Sequence, residues 1–236
     1  MRLLALDAAT ENCSVALLSE GGLLERVAES GKAHAEQLLT MVGEVLAEGH
    51  IALADLDGIA ASIGPGAFSG VRVSVAVAQG LAFGAALRVV AVSTLEALAL
   101  QALSDPAAGS LNHAIACLDA RMQEVYWGCF TRDALQGVIA TSAPRVSAPT
   151  LVTLPPSGRH LGIGRGFAAY PALAQLSGVE LPPGAQTALP RAREFARLGA
   201  LRLARGDTLD PAELQPLYLR DKVADTEAER AARSVI

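Results

Sequence analysis

The first sixty residues alternate between short apolar runs and one amphipathic stretch. Apolar residues fill 2–7, resume at 13–18 after a polar turn, and fill a third run at 23–29, which predicts three strands. From 33 to 48 the apolar positions recur at helical spacing, which predicts an amphipathic helix. The apolar run at 57–63 predicts a fourth strand.

The next segment gives two conflicting signals. Valine alternates with other residues over 71–77, which is the period of a strand. The apolar run continues well beyond that point, too far for a typical strand, and its length favours a buried helix rich in small residues. A strand at 89–92 and a helix at 94–103 follow, and Ser93 with Glu96 has the pattern of a capping box.

A second half repeats the beginning of the chain. A polar stretch with proline and glycine predicts a boundary between domains 1–104 and 105–236. Residues 114–127 then form an apolar strand that ends in aspartate, a short turn and a second apolar strand. Asp7 and Asp119 are the equivalent points of the two halves, which indicates internal duplication.

The remainder of the chain is looser and richer in proline. It predicts a strand at 160–163, a short helix to about 176 and an amphipathic helix at 190–205. The end, 221–236, is polar and charged, and we expect it to be a flexible tail.

Composition narrows the class of protein. Half of the residues are apolar and only 4% are aromatic, so the core is aliphatic. The net charge of −5 argues against nucleic-acid binding by this chain alone, although a partner could supply a basic surface. Three cysteines without a C-x-x-C pair, and the lack of a long apolar run, predict a cytoplasmic protein without a membrane span.

The most constrained stretch is a loop with three glycines and a proline between two apolar runs. Such a loop is either a built site or a tight turn. Its candidate residues are Gly64, Pro65, Gly66, Phe68, Ser69, Gly70 and Arg72. Arg72 could hold an anion or pair with a local carboxylate, and Ser69 is not part of a G-x-S-x-G nucleophile elbow.

Other candidates have two interpretations each. Asp7 and Asp119 either form turns or hold water or magnesium near phosphates. Gly162 and Gly164 belong to a run that either approaches a nucleotide phosphate or makes a strand-to-helix turn. His34 fits a helix start better than a metal site. Because the sequence has no Walker loop and no histidine or cysteine cluster, we predict no catalytic residue and no metal site.

Seven segments carry motifs in a distinctive order. They are 4–10, 13–17, 34–39, 64–72, 79–82, 92–98 and 119–126. Together they resemble the bacterial TsaB family, also called YeaZ, and the Gly-Pro-Gly-x-Phe-[ST]-Gly-x-Arg loop is the most specific of them. The resemblance implies an α/β, actin-like (hsp70/sugar-kinase) fold with two related halves, each a mixed sheet flanked by helices.

The resemblance also implies a role. TsaB-like proteins are non-catalytic scaffolds and activators that pair with the paralogous TsaD, with TsaE as a third member. The complex uses ATP to add a threonylcarbamoyl group to an adenosine next to the tRNA anticodon. TsaD-like chains carry a metal-binding H-x-x-x-H pair where this chain has Thr94 and Leu98, so ATP and metal are expected on the TsaD partner.

Two helices form the partner surface that the resemblance implies, either for TsaD or for a second copy in a homodimer. The alternative is that their apolar residues only pack the chain's own core. The residues expected there are His34, Leu38, Met41, Val42, Val45, Ser74, Val77, Ala78 and Leu81. The complex as a whole would bring tRNA to this chain. Two alternatives remain open: a free-standing phosphotransferase that binds ATP between the halves, and a peptidase that acts through Ser69.

Overall fold

The first half of the molecule is a five-stranded sheet with helices on both faces. The computed structural model describes residues 1–29, 34–156 and 158–220, and the expected tail at 221–236 lies outside these described residues. The elements of the first half are β1 (Leu3–Asp7), β2 (Asn12–Ser19), β3 (Gly22–Glu29), α1 (His34–Gly49), β4 (Gly58–Ser62), α2 (Phe68–Gly84), β5 (Val89–Val92) and α3 (Thr94–Ser104). The strand order is β3-β2-β1-β4-β5. Strands β1 to β3 are antiparallel, whereas β4 and β5 run parallel to β1.

The second half repeats this topology. Its elements are β6 (His113–Arg121), β7 (Glu124–Asp133), β8 (Gly137–Ala140), β9 (Arg145–Ser147), β10 (His160–Ile163), α4 (Gly166–Ala169), β11 (Val179–Glu180) and α5 (Ala192–Arg205). The order β8-β7-β6-β10-β11 has the same antiparallel and parallel pairings as the first sheet, and β9 pairs with β7. The prediction of an actin-like fold with two related halves is confirmed.

Helices α3 and α5 lie between the two sheets and form the central core. Helix α3 follows the first sheet in the chain but packs against the second, and α5 follows the second sheet but packs against the first. Leu98 of α3 and Phe195 of α5 are fully buried there. The N–H of Ala192 donates to Ser14 Oγ at 2.9 Å, which fixes the start of α5 on the first sheet.

The outer faces of the sheets carry two smaller cores. Successive strand residues point to opposite faces, so Leu3 faces the central core while Leu4 packs with α1 and α2. Trp127 and Phe167 belong to the outer core of the second sheet. Because both sheets are covered on both faces, their central strands read as nearly continuous apolar runs.

Most predicted elements are present, with one exception. The ambiguous valine-rich segment is the 17-residue helix α2, as its length indicated. At the start of α3, Ser93 Oγ accepts the N–H of Leu95 at 3.3 Å and Glu96 accepts the N–H of Ser93 at 3.0 Å, which confirms the capping box. The predicted helix to about 176 is wrong: α4 is four residues long, and Pro171 begins a separate 3-10 helix. Within the described ranges, no helix has the length and apolar character that a bilayer span requires.

Candidate functional site

The glycine loop joins β4 to α2, and main-chain hydrogen bonds fix it to its surroundings. Gly64 has a φ of +96°, a conformation that glycine adopts without strain. Its carbonyl accepts the N–H of Thr94 at 2.9 Å, and the N–H of Ala67 donates to the carbonyl of Ala9 at 2.7 Å. The loop therefore holds the start of α2 against the β1–β2 turn and the start of α3.

Two glycines of this loop are required by close packing. A Cβ added to Gly66 would lie 2.0 Å from the carbonyl oxygen of Ala9, and one added to Gly70 would lie 2.0 Å from that of Ala8. Both contacts are with backbone, which cannot move aside as a side chain can. The glycines therefore let the first turn of α2 sit directly on the β1–β2 turn.

Asp7 lies beneath this contact and is fully buried. Its Oδ1 accepts the N–H of Ala9 at 3.0 Å, while its Oδ2 has no partner among the described residues. Burial raises the pKa of Asp7 to about 6, although the hydrogen bond from the N–H of Ala9 opposes part of the shift. Ser74 Oγ accepts the N–H of Ala8 at 2.8 Å and closes the site from the helix side. Asp7 is therefore out of reach of a ligand between the halves, contrary to its predicted position near a nucleotide.

A cavity of about 470 Å³ opens between the two halves. The first half contributes the β1–β2 turn and the start of α2, and the second half contributes the β6–β7 turn. The side chains that line it include Thr10, Glu11, Phe68, Ser69, Arg72, Leu118, Asp119, Arg121, Met122, Tyr126, Arg165, Tyr218 and Arg220. Its size is that of a small-molecule site.

Two ion pairs lie on the wall of the cavity. Arg165 of the second half contacts Glu11 of the first half at 3.2 Å, and so links the halves. Arg121 contacts Asp119 at 3.1 Å, and both belong to the β6–β7 turn. Each carboxylate that lines the cavity is therefore matched by a guanidinium.

The segment 216–220 crosses the cavity and contacts both halves. The N–H of Leu217 donates to the carbonyl of Ile63 at 2.7 Å. Arg220 donates to the carbonyl of Ala120 at 3.1 Å and also pairs with Glu124. Sequence reasoning did not assign this segment to the site, because an irregular stretch has no period that reveals what it packs against.

Arg72 differs from the other arginines of the cavity. Its guanidinium carbon lies 3.3 Å from the centre of the Phe68 ring and 5.2 Å from that of Tyr218. Its Nη1 donates to the carbonyl of Phe68 at 3.0 Å. Within the described part of the chain it forms no ion pair, so the interpretation of Arg72 as the partner of a local carboxylate is wrong.

Of the four residues expected near a nucleotide, only Asp119 lines the cavity. Gly162 lies within β10, where an added Cβ would be 2.9 Å from the ring of Phe167. Gly164 has a φ of +105°, and a Cβ there would lie 2.2 Å from the carbonyl oxygen of Cys117. Both glycines serve packing and the strand-to-helix turn, which was the alternative interpretation of this run.

Most of the expected partner-surface residues lie in the chain's own core. The buried ones are Leu38, Met41, Val42, Val45, Ser74 and Ala78. Val77 and Leu81 are partly buried, and His34 begins α1. The apolar stripe of each helix packs on the first sheet, so these six side chains are not available to a partner. This corrects the prediction, which took the residues that pack the core for those that face outward.

Other residues of the same helices are exposed. Leu39 of α1 is 50% exposed and Phe83 of α2 is 83% exposed. Ala76 and Gly80 of α2 are also at the surface. Helices α1 and α2 pack side by side, so these residues belong to one outer layer of the first half. We call Leu39, Ala76, Gly80 and Phe83 the outer helix surface.

Among the described residues, Ser69 has no neighbouring catalytic partner. Ser69 is exposed at the start of α2, and across residues 1–29, 34–156 and 158–220 no histidine or carboxylate hydrogen-bonds to it. The same ranges contain no group of three or more histidine, cysteine, aspartate or glutamate residues that could hold a metal ion. Thr94 and Leu98, where the resemblance implied a histidine pair in TsaD-like chains, are both buried, and Leu98 belongs to the central core.

Comparison with known proteins gives a consistent result. A family model described as TsaD, tRNA N6-adenosine threonylcarbamoyltransferase, matches residues 13–146. The chain is 36% identical over 229 residues to the tRNA threonylcarbamoyladenosine biosynthesis protein TsaB of Escherichia coli K12, covering 95% of this chain and 96% of that protein. It is 34% identical over 231 residues to the Haemophilus influenzae TsaB, covering 94% and 95%. The solved structure of YeaZ from Pseudomonas aeruginosa superposes with a TM-score of 0.84 at 37% identity, covering 92% of this chain and 99% of that one.

Proposed function

Because this chain belongs to the TsaB (YeaZ) family, we propose that it takes part in the biosynthesis of threonylcarbamoyladenosine in tRNA. The observation that carries this proposal is similarity from end to end to two proteins named for that process. The family's fold is present in both halves, and the first half contains the glycine loop and the helix that it positions. We infer from this role that the chain would act in the cytoplasm, where its three cysteines would stay reduced.

Within that process the chain would act as a non-catalytic scaffold and activator. It would pair with a TsaD-like paralogue, with a TsaE-like ATPase as a third member. The match to the TsaD family model supports a common origin of the two partners. ATP and the metal would be bound by TsaD, because Thr94 and Leu98 offer no imidazole here. The net charge of −5 fits a chain that reaches tRNA only through the complex.

A free-standing phosphotransferase has less support. Such an enzyme needs a carboxylate that reaches the magnesium or the water near the transferred phosphate. Asp7 is fully buried beneath the β1–β2 turn, and Gly70 of α2 packs on the outer side of that turn. The carboxylate of Asp7 therefore does not reach the cavity. Asp119 lines the cavity but is paired with Arg121.

The outer helix surface is the partner site that the geometry favours. Leu39 and Phe83 expose large apolar area in the isolated chain, and the small exposed residues Ala76 and Gly80 of α2 allow close approach of another backbone. Apolar residues at the centre of an interface carry most of its binding energy. The partner would therefore contact the side of α1 and α2 that faces away from the first sheet.

This proposal is tested by Ala76→Arg and Phe83→Asp in the full chain. Both side chains are exposed, so we expect the variants to fold normally. A buried charge at the interface should weaken co-purification with the TsaD-like partner by about tenfold or more. The same variants should fail to support tRNA modification by TsaD and TsaE with ATP and threonylcarbamoyl-adenylate.

Leu135→Asp is the matched control, because Leu135 is 74% exposed but lies in the β7–β8 turn of the second half. It should bind the partner as the unchanged chain does. Normal binding by Ala76→Arg and Phe83→Asp would mean that the surface is wrongly placed. Full tRNA modification without this chain would contradict the activator role, and modification by this chain alone would contradict the non-catalytic one.

A further inference from the structure

The cavity between the halves contains a cation that the proposed function does not use. Arg72 lines the cavity and forms no ion pair within the described residues, whereas the other three arginines on its wall are each paired with a carboxylate. Arg72 Nη1 donates a hydrogen bond to the carbonyl of Phe68, and most of the five N–H donors of the guanidinium remain available. A guanidinium in this state is a ready partner for an oxyanion.

Aromatic rings hold this guanidinium in place. The guanidinium carbon of Arg72 lies 3.3 Å from the centre of the Phe68 ring and 5.2 Å from the centre of the Tyr218 ring. Stacking occupies the faces of a guanidinium but leaves its edges, where the N–H donors are, free to bind. Arg72 therefore needs little ordering when an anion arrives, which favours binding.

The first turn of α2 contributes further donors to the same cavity. Ala67 is the N-cap of this 17-residue helix, and no side chain of the described ranges caps it. Phe68 and Ser69 line the cavity, and the amides of a first helical turn have no partner within the helix. They also carry the partial positive charge of the helix dipole.

An unsatisfied hydroxyl in the neighbouring β1–β2 turn also points to a missing ligand. Thr10 lines the cavity and is only 7% exposed. Its Oγ1 has no hydrogen-bond partner among the described residues. Buried hydroxyl groups are nearly always hydrogen-bonded, so a bound oxygen beside the wall would complete this site.

The carboxylates of the cavity do not cancel this positive character. Glu11 and Asp119 line it, but each already contacts an arginine of its own, at 3.2 and 3.1 Å. Arg72 is therefore a surplus positive charge in a chain whose net charge is −5. Leu118, Met122 and Tyr126 supply an apolar wall on the side of the second half.

We propose that this cavity binds a small organic anion with an aromatic or other apolar body. Its phosphate or carboxylate would contact Arg72 and the first turn of α2, and its body would lie against Leu118 and Tyr126. The proposal does not depend on the partner surface, because the cavity lies between the halves and the outer helix surface lies elsewhere on α1 and α2. A ligand here would bridge the halves next to the Arg165–Glu11 ion pair.

The test is calorimetric titration of the full chain with phenyl phosphate, benzoate, inorganic phosphate and uncharged benzyl alcohol. We expect phenyl phosphate or benzoate to bind with a millimolar or tighter dissociation constant, and benzyl alcohol to bind much more weakly. Preference for phenyl phosphate would identify a phosphate ligand, and preference for benzoate a carboxylate. Arg72→Met should raise the dissociation constant of the preferred anion by about tenfold or more, because hydrogen bonds to a charged group are lost.

Arg145→Met is the matched control. Arg145 also lies over an aromatic ring, that of Trp127 at 5.1 Å, but it does not line the cavity. The Arg145→Met variant should bind the anion as the unchanged chain does. Arg72→Lys keeps the charge without the fork of donors and should lose part of the affinity, which separates binding from misfolding. If no anion binds, or if Arg72→Met binds as tightly as the unchanged chain, the proposal is wrong.

Discussion

At the scale of single residues, Asp7 shows how a position typical of an active site can become part of the core. The β1–β2 turn folds back over its carboxylate, and α2 packs on that turn through Gly70. The carboxylate keeps the hydrogen bond from the N–H of Ala9 but leaves Oδ2 without a partner in the described chain. An unpaired carboxylate oxygen in the core favours the protonated acid.

This burial predicts an unusual pH dependence of stability. The pKa of Asp7 is 3.8 ordinarily and about 6 in the folded chain, so the folded state binds the proton more tightly. Below about pH 4 both states are protonated. As the pH rises from about 4 to above 6, the free energy of unfolding should fall by about 3 kcal/mol because of this group. Urea denaturation curves recorded between pH 4 and 7.5 measure this fall in the free energy of unfolding.

Asp7→Asn isolates the effect, because it removes the proton equilibrium and changes little else. The stability of the unchanged chain relative to this variant should be highest near pH 4 and lower by about 3 kcal/mol above pH 7. Titration of other groups cancels in the comparison. A difference that is the same at every pH would show that Asp7 does not carry a raised pKa.

At the scale of elements, α2 connects the glycine loop, the cavity and the outer helix surface. Two of its glycines have opposite surroundings. A Cβ on Gly70 would meet the carbonyl oxygen of Ala8 at 2.0 Å, whereas a Cβ on Gly80 would meet nothing within 4 Å. Within the isolated chain, the helix therefore depends on Gly70 for packing, whereas Gly80 adds conformational freedom to the unfolded state.

Alanine substitutions distinguish these roles. Gly70→Ala should lower the free energy of unfolding by about 2–3 kcal/mol, because α2 or the β1–β2 turn must move. Gly80 lies in the same helix, and Gly80→Ala should raise the free energy of unfolding by about 0.5–1 kcal/mol. Guanidinium denaturation measures both changes. Equal stabilities of the two variants would contradict the packing role of Gly70.

The elements could be predicted better than the surfaces they present. The length of the segment after residue 70 identified α2 correctly even though its valines alternate with strand period. Periodicity also found the apolar stripe of α1, but it does not tell whether a sheet or a partner covers that stripe. Leu38 and Val45 therefore turned out to be core residues. The segment with Tyr218 was missed because only tertiary contacts bring it to the cavity.

At the scale of the whole molecule, the two halves share one sheet topology, and the last helix of each half packs on the sheet of the other. Helix α5 covers the inner face of the first sheet, and α3 covers that of the second. Contact between them is reinforced by Arg202, which pairs with Glu96 at 2.7 Å. Removing either helix would expose the apolar face of the opposite sheet, so neither half has a complete core of its own. The halves should unfold together.

The single tryptophan allows this to be tested. Trp127 lies in the outer core of the second half and is 2% exposed, so its fluorescence reports that half, whereas far-UV circular dichroism reports the whole chain. We expect the two denaturation curves to coincide. Gly70→Ala destabilises the first half, and it should lower the midpoint seen by Trp127 as much as the midpoint seen by circular dichroism. If the halves were independent, the Trp127 curve of this variant would match that of the unchanged chain, and only the dichroism curve would shift.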